Sequence, residues 1–183
     1  EPGSKDLVIM SLSDNPKTCL IDGEQAFRAF RLDGNSSSEL IIQGIGMMNG
    51  TASFFGGAIY LTGWSRPVIK NCFFYRNVTP SLGGAICVEH ASPTILECEF
   101  RENVSLEQQG GAIRFTESNY SSIIDCEFYE NEAWLGGGLQ LQDCDTFVSG
   151  CYFEGNVSEN YGAGFKSVNG HPTITDCVFV GNH

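Results

Sequence analysis

Positive charge is scarce in this 183-residue sequence: Lys and Arg together number 10, against 22 Asp and Glu, for a net charge of −12. That balance argues against a nucleic-acid backbone or an anionic membrane surface as partner. No run approaches the ~18 apolar residues that suggest a membrane-spanning helix, and no signal-peptide pattern opens the chain. Helical periodicity is missing too: no segment carries a convincing apolar stripe at helical spacing. There is no Cys-x-x-Cys pair, nucleophile elbow, phosphate loop or pair of metal-binding histidines, so the chemistries those motifs carry have no foothold. What remains is a chain that is 42% hydrophobic and only 17% charged, with 22 glycines and eight cysteines. It can build a core, and its 19.9 kDa suits a single domain over residues 1–183, with 1–39 forming irregular first coils and 40–183 regular repeats.

Internal repetition organises the chain. Five segments share one pattern: Asn71-Cys72-Phe73-Phe74-Tyr75-Arg76-Asn77, and its counterparts around Cys98, Cys126, Cys151 and Cys177. The cysteines are 26, 28, 25 and 26 residues apart; Phe follows each by two and Asn by five. A second signature interleaves in fixed phase: Gly56-Gly57-Ala58-Ile59, Gly83-Gly84-Ala85-Ile86, Gly110-Gly111-Ala112-Ile113, Gly136-Gly137-Gly138-Leu139 and Gly162-Ala163-Gly164-Phe165. Apolar residues at spacing two mark strands. The step of three from Ile69, Ile95, Ile123, Val148 or Ile174 to the next Cys breaks that parity. A corner at Asn71, Glu97, Asp125, Gly150 or Asp176 restores it.

Each unit is therefore about three short strands and three corners. Units of roughly 26 residues stack by parallel pairing at about 4.8 Å. The predicted fold is all-β, a single-stranded parallel β-helix of about six to seven coils. Stacking piles equivalent residues into columns: Phe74, Phe100, Phe128, Phe153, Phe179; Cys72, Cys98, Cys126, Cys151, Cys177; and Asn77, Asn103, Asn131, Asn156, Asn182. The Asn column is expected to hold a turn by bonding to backbone or to the next Asn. Ile42, Ile45, Met47 and Gly50 continue the pattern one coil earlier, and Thr18–Gly23 belongs to a still earlier coil.

The Gly-Gly-Ala-Ile and Phe-x-x-Asn signatures resemble the repeats of chlamydial polymorphic outer-membrane proteins, within the wider group of right-handed parallel β-helix proteins with the pectate-lyase-like fold. The resemblance covers roughly residues 40–183 and implies a right-handed, three-faced solenoid. It implies surface adhesins and passengers on one side, and proteins that cut or bind polysaccharide on the other. No β-barrel translocator is recognisable, so a complete autotransporter is not expected.

Candidate chemistry is thin. The column cysteines read as buried small hydrophobes whose parallel sulfurs stay thiols. Cys87, between Ile86 and Val88, is expected to point outward. Cys144, between Asp143 and Asp145, is expected in a corner or loop; these two are the candidates to depart from burial. Glu99 and Glu127 align on the outer face, as do Glu102 and Glu130, and the bland reading is a solvated acidic wall. No cofactor is expected; calcium is the ion such carboxylates would suit. With 22 acids some carboxylate pair always resembles a glycosidase centre, and His90, His171 and His183 share no column, so the reading leans away from catalysis.

Sequons stand at Asn35, Asn49, Asn77, Asn103, Asn119 and Asn156, six of 12 Asn where chance gives about two. The enrichment favours a secreted glycoprotein, although an Asn turned into the column cannot carry a glycan. The expected role is an extracellular or cell-surface structural or adhesive solenoid. Its partners are itself, stacked head to tail into a filament, or further coils of a longer chain, together with glycans. The alternative is a carbohydrate-binding or polysaccharide-cleaving module, which exposed aromatics on one face among Trp64, Tyr75, Tyr129 and Trp134 would favour.

Overall fold

A computed structural model describes residues 7–34 and 40–183. Every described element longer than a turn is a strand, and strands pair in parallel with their counterparts one coil away. One coil reads Thr94–Leu96, Glu99–Arg101, Val104–Gln109 and Ile113–Thr116. Stacked, these build a first sheet of seven strands from Leu7–Met10 to Thr173–Thr175 and a second of seven from Leu20–Asp22 to Val178–Val180. A short third sheet has four, from Val78–Thr79 to Val157–Tyr161, and a fourth sheet six, from Phe30–Asp33 to Phe165–Val168.

The short sheet corrects the three-strand expectation. Between each Asn and the next glycine pair the chain is extended enough to ladder, and parallel bridges join Phe55, Leu82 and Gln109. The corners are correspondingly four, and each uses left-handed backbone. The expected corner residues Asn71, Glu97, Asp125, Gly150 and Asp176 have φ of 46°, 54°, 50°, 65° and 53°. A second set is Asn49, Arg76, Glu102, Glu130, Gly155 and Gly181, and a third is Gly63, His90, Glu117, Asp143 and Asn169. The fourth is the first glycine of each pair. At Gly83, φ is +67° and a Cβ would lie 2.2 Å from the Ile86 carbonyl oxygen. Its neighbour Gly84 is needed for a different reason: a Cβ there would meet the Gly111 carbonyl of the next coil at 2.1 Å.

Inside, the columns form as read. Phe74, Phe100, Phe128 and Phe153 are fully buried, and their rings stack nearly parallel with centroids 4.7, 5.0 and 4.5 Å apart. Strand spacing imposes that separation, and each sealed ring contributes roughly 1.5–3 kcal/mol of burial. Asn77, Asn103, Asn131 and Asn156 are fully buried as well. Each Nδ2 donates to the Oδ1 of the next coil's Asn, at 2.9, 2.9, 2.8 and 2.8 Å, ending on Asn182. It also donates to a carbonyl, such as that of Phe74 from Asn103 and that of Phe100 from Asn131, both at 3.0 Å. The Oδ1 accepts the preceding Asn's backbone N–H too, so the polar groups are satisfied at no cost in exposure. The earlier coil joins in register: Ile42 faces Ile69, Met47 faces Phe74, and the Gly50 N–H donates to Asn77 Oδ1 at 2.9 Å.

All eight cysteines are free thiols. The column thiols point at carbonyls, Cys98 at Leu96 for instance, at 3.3 Å. Burial pushes the Cys98 thiol well above the usual range. Cys87 departs from expectation. It alternates with Ile86 and Val88 and stands outside the core cluster, yet it is fully buried. Tyr60 and Arg114 flank it in register and the Gly56 and Gly83 corners pass over its backbone. Cys144 does lie at a corner, and it is sealed into the core, accepting the Ser118 N–H at 3.3 Å.

Candidate functional site

Side-chain chemistry outside the columns gathers in three places. The first is the outer face of the fourth sheet, where the residue after each Gly-Gly-Ala-Ile forms a column of its own: Tyr60, Cys87, Arg114, Gln140 and Lys166, preceded by Arg31. This row was legible in the repeat alignment, but its residue types vary so much that no motif marks it. Arg114 is 6% exposed, and its guanidinium donates to Gln109 Oε1 at 3.2 Å, Gln142 Oε1 at 2.8 Å and the Thr116 hydroxyl. Burial lowers its pKa. Burial and the 2.5 Å bond from the Tyr60 hydroxyl to Glu89 push that phenol up to about 12.

At the start of this row a cleft of about 470 Å³ is lined by Phe27, Arg28, Arg31, Phe54, Phe55 and Tyr60, among others. The Arg28 and Arg31 guanidinium carbons lie 5.5 and 5.6 Å from the Tyr60 ring centre, and Phe55 stacks on that ring at 5.1 Å. Arg28 is held by the carbonyls of Gly56, at 2.7 Å, and Phe55. Phe27 and Phe54 stand on the rim, mostly exposed. The arrangement suits a ligand with a flat apolar body and a negative group.

The second place is the acidic wall. Glu99 and Glu127 are register partners, as expected. Glu99 is held by Lys17 at 2.6 Å and Arg101 at 3.2 Å, and Glu127 accepts the Tyr129 hydroxyl at 3.1 Å. Glu102 takes Arg76 at 2.8 Å. The protein's own cations thus relieve part of the repulsion, and among the described residues no cluster of three or more His, Cys, Asp or Glu side chains is placed to hold a metal ion.

The third is a cleft of about 360 Å³ lined by Trp64, Arg66, His90, Ser92, Glu117, Asn119, Tyr120 and Asp143. Trp64 is one of the four aromatics singled out by sequence. The four do not share a face: Tyr75 and Tyr129 lie on the second sheet under Arg76 and Arg101, Trp134 on the short third sheet, and Trp64 beyond the fourth.

The sequons divide. Asn77, Asn103 and Asn156 are ladder members with both amide hydrogens donated inside the fold. The Ser or Thr two residues on is structural too. Thr79 and Ser158 donate to the carbonyls of Phe54 and Trp134 one coil earlier, at 3.0 and 3.1 Å, and Ser105 to that of Ser81. Half of the enrichment is therefore a by-product of the repeat. Asn49 is half-buried and donates to Asp22 at 3.1 Å; Asn119 is exposed; Asn35 lies outside the described residues.

A family model for right-handed beta helix regions matches residues 28–183. The chain is a member of that right-handed β-helix family. Among curated proteins it is similar to metabotropic glutamate receptor-like protein R of Dictyostelium discoideum, 24% identical over 141 residues. The match takes in 75% of this chain but spans only 9% of that relative. No solved structure matches.

Proposed function

We propose that the chain is a structural module of a larger cell-surface or extracellular assembly: a stiff solenoid that spaces or displays what it is joined to and continues by stacking on further coils, its own or those of a second copy. One observation carries this. From Ile69 and Phe74 to Val148 and Phe153, each coil pairs in one register with the coils on either side, and its core side chains are sealed between them. Every coil thus serves its neighbours as they serve it, which favours a module that gains length by stacking coils. The similarity to a small part of a receptor-like protein, and the resemblance to surface-adhesin repeats, agree with an outward-facing setting. Electron microscopy and sizing of native material test the reading. Filaments, or one longer chain containing these coils, are expected; a discrete, stable 19.9 kDa monomer overturns it.

A second reading, ligand binding, is favoured by the cleft at Arg28, Arg31 and Tyr60. Titration with acidic and neutral oligosaccharides decides it: binding of the acidic ones, lost in Arg28→Ala and Arg31→Ala, is expected, and no binding of either removes the reading.

A further inference from the structure

We propose that Asn119 is an N-glycosylation site whose first sugar seats in the adjoining cleft between Trp64 and Tyr120, while a glycan on any of the three ladder sequons is incompatible with the folded ladder. The inference rests on display outside the cell, as proposed above. Its starting point is the sorting of the sequons. Asn119-Tyr120-Ser121 lies outside both the ladder and the hydroxyl column. Its Oδ1 accepts the Asp145 N–H at 3.1 Å, and its backbone carbonyl accepts the Ser92 hydroxyl at 2.5 Å. Those two bonds fix the residue in an exposed loop without drawing on its Nδ2, the atom that a glycan needs.

The surroundings fit a sugar. Trp64 and Tyr120 are 73% and 85% exposed, among the most open aromatics of the described residues, and both line the cleft that Asn119 itself lines. Aromatic faces take the C–H faces of a pyranose, while Ser92, His90, Glu117 and Asp143 offer hydrogen-bonding groups around its rim. His90 Nδ1 lies 3.4 Å from Glu117 and its ring 6.3 Å from that of Trp64, so the three side chains adjoin in the wall. A volume of about 360 Å³ admits a monosaccharide and some water.

The step is a group transfer from a polyprenyl-diphosphate-linked oligosaccharide. The bond between the anomeric carbon and the diphosphate oxygen breaks, and a bond from that carbon to Asn119 Nδ2 forms. The amide gives up one proton and polyprenyl diphosphate leaves. The same transfer onto Asn77, Asn103 or Asn156 would replace a hydrogen that the fold uses, and would place a sugar where the exposure is zero.

The test is expression behind a secretion signal in cultured animal cells, with site occupancy read by mass spectrometry after enzymatic deglycosylation in heavy-oxygen water. The signal is supplied, so the outcome does not depend on where the native protein resides and can fail separately from the structural reading. The wild type is compared with Thr79→Ala/Ser105→Ala/Ser158→Ala, which removes the ladder sequons but keeps every ladder Asn; Ala133, buried in the same column, shows that alanine fits. Glycan on most Asn119 and none on the ladder of the folded, secreted protein is expected, in the wild type and the triple variant alike. Bare Asn119 in folded, secreted protein, or a glycan on a ladder Asn there, overturns the proposal. Endoglycosidase trimming of the native glycoprotein tests the seat: Trp64→Ala/Tyr120→Ala should speed it roughly five- to tenfold, and an unchanged rate overturns the seat.

Discussion

Phe153 and Phe179 stand in register on neighbouring coils, each two residues after a Cys and three before an Asn, yet the first is sealed and the second is 47% exposed. The same holds for Val148, sealed, and Ile174, 40% exposed. At the other side, the strands Leu7–Met10 and Leu20–Asp22 ladder onto the regular coils with hardly any of the signature. Burial in this molecule is thus a property of having a neighbour on each side. A matching signature does not guarantee it, and a coil without the signature still stacks if its backbone can pair.

The contrast between inner and outer coils is breakable by substitution. Phe128→Ala should cost about 3–5 kcal/mol, through lost burial and a cavity that two flanking rings cannot fill. Phe179→Ala should cost only about 1 kcal/mol, since half of its surface is already in water. Denaturant titration of both proteins measures this, and equal costs would mean that the column is not cooperative along its length. Next is the ladder. Asn131→Ala strands the Asn103 N–H and amide in the sealed interior, for about 2–3 kcal/mol, whereas Asn182→Ala removes the equivalent bonds to Asn156 at a half-buried position that water reaches and should cost under about 1 kcal/mol.

A third prediction concerns the corners. Glu130 and Gly155 occupy equivalent left-handed positions, with φ of 54° and 62°. Glu130→Gly should stabilise by about 1 kcal/mol and Gly155→Ala should destabilise by a similar amount, because a Cβ at 155 would meet only Glu130 Cγ, at an ordinary contact distance of 3.6 Å. Thermal melts of the two variants should move in opposite directions; movement in the same direction would refute a conformational cause. The smallest effect is kinetic. Cys19 and Cys177, half-buried, should label with a thiol reagent in the native protein, while Cys98 and Cys126 wait for global unfolding.

The interior was legible because a stacked coil repeats its neighbours' environment, so Cys126, Phe128 and Asn131 announce their roles by recurring at fixed phase. The corners Asn71, Glu97 and Asp125 were legible from a parity break alone. The fourth strand was not: Val78–Thr79 and Glu132–Leu135 have no common length, and the pairing of Glu132–Leu135 with Val157–Tyr161 slips in register after Ala133. Nor was the fate of Cys87, whose outward direction follows from alternation but whose cover comes from Tyr60 and Arg114 beside it and from the glycine corners at its backbone. The candidate sites were the least legible. Arg28, Arg31, Tyr60 and Phe54 meet by stacking across coils; Arg31 and Tyr60 share a column, but its residue types change from coil to coil, so no recurring motif marks them. The sequons at Asn77, Asn103 and Asn156 coincide with a structural column, so the motif alone does not separate the two roles.

The Asn ladder also bears on how such a molecule changes over generations. Each asparagine presents to the coil on one side the same acceptor that it receives from the other, so any coil bonds to any copy of itself. An unequal crossover that inserts or deletes one repeat of about 26 residues leaves every remaining bond intact and alters the length by one strand spacing, about 4.8 Å. Reach is therefore a heritable quantity that can be adjusted in whole steps, without a single compensating change in the interior.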